Sequence, residues 1–169
     1  MTILVTRRMT LLPQVAGDAP ALFDILGDPL AMRFWNHAAI TRLAMVEELI
    51  REQQAAMANG VCRYWTVFEK GDAIGSVDLS MIEGRTAELG FVLRPDRWGQ
   101  GLATEAAAAV VAHGWGVLNL VRLAAAVQSG NAAAARVLEK TGFRLAERHS
   151  QVLLPGGIRR DCAFYLLER

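Results

Sequence analysis

The stretch WGQGLATEA, residues 98–106, has the residue types of a loop that binds phosphate groups. Two glycines, Gly99 and Gly101, stand one residue apart, where an apolar run is expected to lead into an alanine-rich helix. The first backbone N–H groups of a helix have no partner within it, and the helix dipole adds partial positive charge there. Because glycine has no Cβ, a pyrophosphate can approach those N–H groups closely. A purely structural strand-to-helix corner explains the same pattern equally well.

Two well-known phosphate-binding patterns do not match this chain. A P-loop needs Gly-Lys followed by Ser or Thr, and the sequence contains no such triplet. A dinucleotide-binding loop has Gly or Ala at the position that Thr104 occupies, and an acidic residue follows about 20 positions later. Residues 118–128 contain no acidic residue. The sequence therefore argues against nicotinamide binding and against an oxidoreductase.

Composition bounds the remaining classes of function. With 169 residues, 53% of them hydrophobic, the chain is expected to form a single domain over residues 1–169. The net charge of +1 provides no basic surface for nucleic acid. The two cysteines form no CxxC pair, and the three histidines show no metal-ligand spacing, so no metal site is expected.

No membrane segment or secretory signal is expected either. The uncharged run 106–121 is shorter than the ~20 residues of a spanning helix and contains His113, Gly114 and Gly116. The N-terminus lacks a continuous apolar stretch that ends in a small-residue cleavage site. These features predict a soluble, cytoplasmic protein with no membrane or nucleic-acid partner.

The elements that must position the glycine loop begin with a strand at residues 7–12. Two helices follow, with Asp18 and Thr41 as their predicted N-caps. Three strand-like runs come next, and the breaks at Gly71-Asp72 and Glu83-Gly84 predict hairpin turns between them. The middle of the chain is therefore expected to form an antiparallel meander that ends just before the glycine loop.

The second half alternates helices and strands. After the alanine-rich helix, residues 122–128 predict a strand, and Asn131 can cap a helix that stops at Gly142. Two last strands are expected on either side of the turn Pro155-Gly156-Gly157. The order predicts an α/β (α+β) domain, with a mixed, mostly antiparallel sheet of about seven strands and about four helices.

A second motif follows the glycine loop at a distinctive spacing. Asn131 opens the run NAAAARVLEKTGF, which contains N-x-x-A-x-x-V-L-E-K-x-G-F. Together with WGQGLATEA, this pattern resembles the GNAT superfamily of acyl-CoA N-acyltransferases, and in particular its Rim-type branch, the ribosomal-protein-alanine N-acetyltransferases and their relatives. The predicted order of elements agrees over nearly the whole chain. The resemblance implies the GNAT fold, acetyl-CoA as co-substrate and no metal.

The resemblance also implies which residues hold coenzyme A. The end of the fourth strand would bond the pantetheine arm through its backbone, the glycine loop would hold the pyrophosphate, and Asn131 would bond the pantetheine or the region near the phosphates. Arg97 and Arg136 are candidates for the 3′-phosphate, with a solvated surface charge as the alternative for each. Trp98 stands where the generic signature has Arg or Gln and is usual in the Rim-type branch. The cofactor-binding set is Phe91, Val92, Leu93, Trp98, Gly99, Gln100, Gly101, Leu102, Ala103, Thr104, Asn131 and Arg136.

The implied reaction is direct attack of a primary amine, on a protein N-terminus or a small molecule, at the acetyl thioester. A backbone N–H near Val92 or Leu93 would stabilise the developing oxyanion. The amine must be neutral to attack. At pH 7, deprotonation costs about 4–5 kcal/mol for a lysine-like amine and about 1 kcal/mol for an α-amino group. An amine of the first kind therefore needs a dedicated base.

Glu88 is the candidate catalytic base, because the Rim-type branch commonly has Glu at this point of the fourth strand. Strand alternation places its side chain on the same face as Gly90 and Val92. A structural glutamate paired across the sheet is the alternative. Asp78, on the preceding strand, and His37, between the first two helices, are weaker candidates.

Two positions depart from the family pattern. Ala134 replaces a serine that is frequent in the Rim-type branch, and Leu138 replaces the tyrosine that protonates the departing thiolate in many members. The proton would then come from water, or from a residue elsewhere such as Tyr165 or Ser129. These departures motivate an alternative function, a non-catalytic acyl-CoA-binding sensor or partner domain.

The acceptor groove is expected between residues 31–41 and the turn near residues 155–160. These segments offer polar and aromatic side chains, and their arginines suggest an acceptor that carries a carboxylate or phosphate, with solvated turn charges as the alternative. The family resemblance also suggests a homodimer. The groove candidates are Trp35, Asn36, His37, Arg159 and Arg160.

Overall fold

All strands of the computed structural model, which describes residues 2–154 and 157–169, lie in one sheet. The strands are Leu4–Val5 (β1), Met9–Pro13 (β2), Arg63–Glu69 (β3), Asp72–Glu83 (β4), Thr86–Leu93 (β5), Arg122–Gln128 (β6), Arg144–Leu153 (β7) and Arg159–Glu168 (β8). The helices are Ala19–Leu26 (α1), Leu43–Ala58 (α2), Leu102–Gly116 (α3) and Ala132–Lys140 (α4). Short 3-10 turns lie at Ala16–Asp18 and Pro95–Arg97.

The sheet is mixed and mostly antiparallel, which confirms the predicted fold class. Its strand order is β1-β2-β3-β4-β5-β6-β8-β7, and β5 and β6 are the parallel neighbours. The described part has eight strands where about seven were expected, and β1 is the additional one. Since β1 has two residues, Leu4 and Val5, it shows no alternation that a sequence pattern could reveal.

The predicted boundaries hold where a local hydrogen bond sets them. Asn131 caps α4 through its Oδ1, which accepts from the N–H of Ala134 at 3.1 Å. Past the end of α4, Gly142 has φ +94° and the N–H of Phe143 donates to the carbonyl of Leu138, so the predicted glycine stop is confirmed. The turn between β3 and β4 is Lys70-Gly71, one residue earlier than expected.

The predicted caps of the first two helices are revised. Helix α2 starts after Arg42, so Thr41 is not its N-cap. Asp18 does occupy the N-cap position of α1, but its Oδ2 accepts from the N–H of Val15 and the hydroxyl of Thr66, 48 positions away. Tertiary contact thus takes over a carboxylate whose sequence position favoured local capping.

Two hydrophobic cores lie on the opposite faces of the sheet. Helices α3 and α4 cover one face, and helices α1 and α2 cover the other. Strand β5 contributes alternately to both, because Leu89 is buried in the first core and Val92 in the second. Each fully buried side chain of this kind contributes about 1.5–3 kcal/mol, so β5 is held firmly from both sides.

Strands β5 and β6 separate after a short parallel contact. Their register covers only Thr86–Glu88 against Arg122–Ala124. Beyond this contact, residues 89–93 of β5 and residues 125–128 of β6 bound an opening in the sheet, which we call the β5–β6 gap. Glu88 stands at its apex, where the pairing ends.

Two further observations complete the fold. Within the residues that the structure describes, no helix is both long enough and apolar enough to cross a membrane. The predicted turn at Pro155-Gly156-Gly157 includes two residues, Pro155 and Gly156, that lie outside the described residues.

Candidate active site

The glycine loop directly precedes α3 and presents bare backbone. Gly99 and Gly101 have φ of +73° and +77°, a left-handed conformation that side chains disfavour. A Cβ added at Gly99 would meet no atom within 4 Å, so the space beside it is open. Gly101 is the N-cap of α3 and supplies no side chain to cap it. In the described part of the chain, no backbone hydrogen bond uses the N–H groups of Gly99, Gln100 or Gly101.

Arg8 holds this loop in position, a role that sequence reasoning did not find. Its Nη1 donates to the carbonyl of Gln100 at 2.9 Å, and its Nε donates to Oε2 of Glu105 at 2.8 Å. Burial alone would raise the pKa of Glu105, but hydrogen bonds from Thr6 and Arg8 and the charge of Arg8 hold it below its ordinary value. Arg8 and Gln100 are 92 positions apart, so no local pattern reveals the contact.

Side chains of the loop also fix it to the end of β5. The indole Nε1 of Trp98 donates to the carbonyl of Leu93 at 2.8 Å, and Gln100 Nε2 donates to the carbonyl of Asp96 at 3.0 Å. Leu102 is buried beneath the loop, whereas Ala103 and Thr104 are half-buried in the first turn of α3. The loop is therefore rigidly attached to both elements that it joins.

The backbone of β5 offers hydrogen-bonding groups to the gap at alternate residues. The N–H of Arg94 donates to the carbonyl of Ile74 on β4. Because antiparallel pairing alternates, Val92 also turns its N–H and carbonyl toward β4, and Phe91 and Leu93 turn theirs toward the gap. The Leu93 carbonyl already accepts from Trp98. Of the two N–H groups suggested for the oxyanion, that of Leu93 therefore faces the gap.

Helix α4 lies on the β6 side. The Oδ1 of Asn131 serves as the helix cap, which leaves its Nδ2 available to a ligand. Arg136 is exposed and takes part in none of the ion pairs found among the described residues, whereas Arg97 pairs with Glu69 at 3.3 Å. Leu138, at the position of the family tyrosine, is fully buried in the core.

Two carboxyl groups, those of Glu88 and Asp78, lie on strand positions at or beside the apex of the gap. Glu88 is exposed and lies opposite Ser80 on one side and Ala124 on the other. Asp78 is only 7% exposed and lies opposite Gly90. A Cβ at Gly90 would be 2.5 Å from Oδ1 of Asp78, so this carboxyl occupies the space that a side chain at position 90 would fill.

Asp78 has the most perturbed carboxyl of the site. Burial raises its pKa to about 7, the negative charge of Glu88 adds to the rise, and a hydrogen bond from Ser80 opposes it. Burial, together with the charge of Asp78, raises the pKa of Cys62 to about 11 and also raises the pKa of Tyr64. Cys62 is therefore a thiol at neutral pH, which agrees with a reaction that needs no enzyme nucleophile.

The residues suggested as donors to the thiolate lie apart. Tyr165 is 4% exposed and belongs to the core beneath α3 and α4, together with Leu138. Ser129 is exposed just beyond β6. Neither is brought to the apex of the gap with Glu88 and Asp78.

The segment between α1 and α2 is tied to the end of β6. The side-chain Nε2 of Gln128, which is buried, donates to the carbonyl of Trp35 at 2.6 Å. The His37 side chain contacts the backbone of the next residue, with Nδ1 2.8 Å from the carbonyl of Ala38. Arg159 and Arg160 are exposed on β8, and Arg159 donates to the carbonyl of Gln151.

The other histidines have structural surroundings. His113 is 6% exposed and stacks edge-on against Trp65, with ring centroids 5.3 Å apart, and burial lowers its pKa. His149 lies 2.9 Å from Glu147 on exposed β7. Across residues 2–154 and 157–169, no three His, Cys, Asp or Glu side chains come together in a way that could hold a metal ion.

Comparison with known proteins gives consistent results. The family described as acetyltransferase (GNAT) domain matches residues 8–144. The uncharacterized N-acetyltransferase p20 of Bacillus licheniformis is 28% identical over 148 residues, which cover 85% of this chain and 83% of that protein. The spermidine N(1)-acetyltransferase of Escherichia coli strain K12 is 35% identical over 107 residues, 59% of this chain and 57% of that protein.

The fold is also found among solved structures. RimL, a ribosomal L7/L12 alpha-N-protein acetyltransferase solved in complex with coenzyme A, aligns with a TM-score of 0.86 at 18% identity, over 99% of this chain and 98% of that chain. The region matched by the family includes the glycine loop, both strands that bound the gap, and α4.

Proposed function

The chain belongs to the GNAT acetyltransferase family, and from that premise we propose that it holds acetyl-CoA along the glycine loop and the β5–β6 gap and acetylates a primary amine at the apex of the gap. It is an acetyl-CoA-dependent N-acetyltransferase that acts on amines. We propose which residues bind acetyl-CoA, which take part in the reaction, and which class of amine is acetylated.

The residues present suit coenzyme A. The open space at Gly99 and the unpaired N–H groups of the glycine loop suit a pyrophosphate at the start of α3. The gap-facing backbone of Phe91 and Leu93 can pair with the amides of a pantetheine arm as a further strand would. Asn131 can donate its free Nδ2 from the opposite side of the gap. When bound, acetyl-CoA supplies an acetyl group activated as a thioester.

The acceptor amine is proposed to reach the apex from the side of the sheet covered by α1 and α2. Glu88 is exposed on that face, at the point where β5 and β6 part. Its carboxylate can attract an ammonium group and is the proposed catalytic residue. A backbone N–H of β5 that faces the gap is the proposed donor to the oxyanion.

The class of acceptor is proposed to be a polyamine, another small amine or a protein N-terminus. The similarity to a spermidine N(1)-acetyltransferase supports the first, and the fold shared with a ribosomal-protein acetyltransferase supports the last. The paired carboxyls at the apex favour an acceptor that arrives as a cation. Acetylation of spermidine, amino acids and N-terminal peptides, each followed by release of free thiol, would rank these acceptors.

The observation that carries the proposal is the bare loop beside the gap, and a pair of glycine variants tests it. Gly99 and Gly60 both have positive φ, +73° and +81°, and an added Cβ meets nothing within 4 Å at either. Gly99→Ala and Gly60→Ala therefore carry a similar backbone strain of about 1 kcal/mol. We expect Gly99→Ala to weaken CoA binding at least tenfold in titration calorimetry, because the methyl group occupies the space beside the free N–H groups.

Gly60→Ala, beyond the end of α2, should bind CoA as the wild type does. Equal affinity of both variants would reject the glycine loop as the phosphate site. Tight CoA binding without thiol release across the whole acceptor panel would instead favour the alternative of a non-catalytic sensor.

Three broader features are also part of the proposal. Residues 1–169 are proposed to act as one domain. A cytoplasmic location is proposed, supported by the two buried cysteines Cys62 and Cys162, which are both free. A homodimer is proposed from the family resemblance, and sedimentation of the purified chain would test it.

A further inference from the structure

The side chain of Asp78 leans across β5 toward the apex of the β5–β6 gap. Gly90 is the first residue of β5 beyond the β6 contact that shares a face with Glu88. Its missing side chain leaves room for the Asp78 carboxyl, whose Oδ1 lies 2.5 Å from the position that a Cβ would take. Glycine at this position thus brings a carboxyl from the neighbouring strand to the edge of the gap.

The surroundings of Asp78 are polar, and among the residues that the structure describes it forms no ion pair. Tyr64 faces it from β3, and Cys62 lies just before β3. Ser80 is two residues further along β4, and Glu88 lies diagonally across on β5. Diagonal neighbours of this kind have Cα atoms about 7–8 Å apart. From α2, Gln53 and Glu52 line a cavity of about 410 Å³ that also includes Cys62 and Tyr64.

We propose that Asp78 receives the proton of the acceptor ammonium and that Glu88 holds this ammonium by its charge. The inference rests on the proposed function. It assigns binding of the ammonium group to Glu88 and acceptance of its proton to Asp78, where Glu88 alone was the proposed catalytic residue. The ionised Asp78 carboxylate takes one proton from R–NH₃⁺. The nitrogen lone pair then forms the C–N bond to the acetyl carbon, the C–S bond breaks with its electrons on sulfur, and a second amine proton ends on the sulfur as thiol.

The two carboxyls suit these separate tasks. Glu88 is exposed at the apex of the gap, where an incoming cation can reach it. Asp78 is buried, and burial raises its pKa to about 7. This value is closer to the pKa of an amine than the pKa of an ordinary aspartate is. A general base works best when its pKa lies near the working pH. The proton on Asp78 returns to solvent after each turnover.

The pH dependence of kcat/KM separates the two ways of deprotonating an acceptor. With an alkylamine of pKa about 10, a protein base gives a rate that rises with pH and levels off above about pH 7. Without that base the reaction needs the free amine, so the rate climbs tenfold per pH unit toward the pKa of the amine. The wild type is expected to show the plateau, and Asp78→Asn the continuous climb.

At about pH 7, kcat/KM of Asp78→Asn should be reduced at least 100-fold, while CoA affinity in calorimetry stays within about twofold of the wild type. Asp72→Asn is the matched control, because Asp72 is an exposed aspartate at the start of the same strand. It should keep both the rate and the plateau.

Two milder variants test the same residue without removing it. Glu88→Gln removes the like charge, so the onset of the plateau should move to lower pH while KM for a cationic acceptor rises. Ser80→Ala removes a hydrogen bond that favours the charged form, so the onset should move to higher pH. In the wild-type chain without ligand, ¹³C NMR of the aspartate carboxyl carbons should show Asp78 titrating at the same midpoint as the rate.

The outcomes are distinguishable. Acetyl transfer by Asp78→Asn with a wild-type plateau, or an Asp78 carboxyl that titrates like an exposed one, would overturn the role of Asp78 and leave the acetyltransferase intact. Failure of the wild type to acetylate any amine would overturn the proposed function and this inference with it. If Asp78→Asn fails to fold, the test is the pH at which the plateau begins in Glu88→Gln and Ser80→Ala. Shifts in opposite directions support the role of Asp78, and unchanged onsets in both overturn it.

Discussion

At the scale of single residues, the base that we propose, Asp78, is a carboxyl whose ionised form is unfavourable to the fold. Asp78 is almost completely buried, and a hydrogen bond from the Ser80 hydroxyl stabilises its charge. Burying an ionised carboxylate costs free energy unless it is paired, and the raised pKa expresses that cost. Gly90 makes the arrangement geometrically permissible, because any side chain there would displace the carboxyl.

Stability should therefore depend on pH through Asp78. Its folded-state pKa of about 7 lies above its ordinary value, so its contribution is fully favourable below about pH 4 and is lost as pH rises through 7. Asp78→Asn should raise the free energy of unfolding by about 4 kcal/mol at about pH 8 and change it little near pH 4. Urea denaturation at both pH values measures this. A loss of stability of the same size at both would contradict the unfavourable charge.

At the scale of elements, the glycine loop is positioned by Arg8, which lies in the turn between β1 and β2. Arg8 bonds both the loop, through the carbonyl of Gln100, and the first turn of α3, through Glu105. Trp98 then attaches the loop to the end of β5. The free N–H groups of the loop keep a fixed direction because three elements hold it, and such preorganisation favours ligand binding.

Arg8→Gln should weaken CoA binding about tenfold and lower the free energy of unfolding by about 1–3 kcal/mol, because it removes the charged side chain that pairs with the half-buried Glu105 and bonds the Gln100 carbonyl. Arg122→Gln is the control, since Arg122 forms an ion pair with Glu168 that is mostly exposed and distant from the loop. The control should keep CoA affinity and lose less than about 1 kcal/mol. Calorimetry measures the CoA affinity of each variant, and urea denaturation measures its stability. Equal CoA affinity in the two variants would contradict the role of Arg8 in positioning the glycine loop.

At the scale of the whole molecule, one sheet separates two hydrophobic cores, and the β5–β6 gap opens within that sheet. Helices α1 and α2 cover the strands up to β5, whereas α4 packs on the other face near β6. The parallel contact of β5 and β6 covers three residues on each strand, so other contacts must help to hold the two halves of the sheet together. The bond from Gln128 at the end of β6 to the Trp35 carbonyl, before α2, is one such contact.

Gln128→Leu should loosen the α1–α2 segment without affecting the glycine loop. One buried hydrogen bond contributes about 1 kcal/mol, so the amide of Trp35 should exchange with solvent about fivefold faster, and KM for the acceptor should rise while CoA affinity is kept. Gln54→Leu on α2 is the control, because Gln54 takes part in none of the side-chain hydrogen bonds found in the described residues. Unchanged exchange in Gln128→Leu would show that the segment is held by other contacts.

The sequence by itself determined the order of the elements after β1, the Asn131 cap, the Gly142 stop and the glycine loop before α3. These features follow from local rules, since periodicity, capping and positive φ are settled by residues within a few positions of one another. The two spaced motifs also predicted the family, which the match over residues 8–144 confirms.

Only the tertiary structure decided what surrounds those features. It placed Arg8 on a loop 92 positions away and took Asp18 from its helix to Thr66. It also set Asp78 over Gly90, where burial moves the pKa of the carboxyl. Strand register and burial depend on contacts between distant segments, which the local pattern does not specify, and a charge acquires its chemistry only from those contacts.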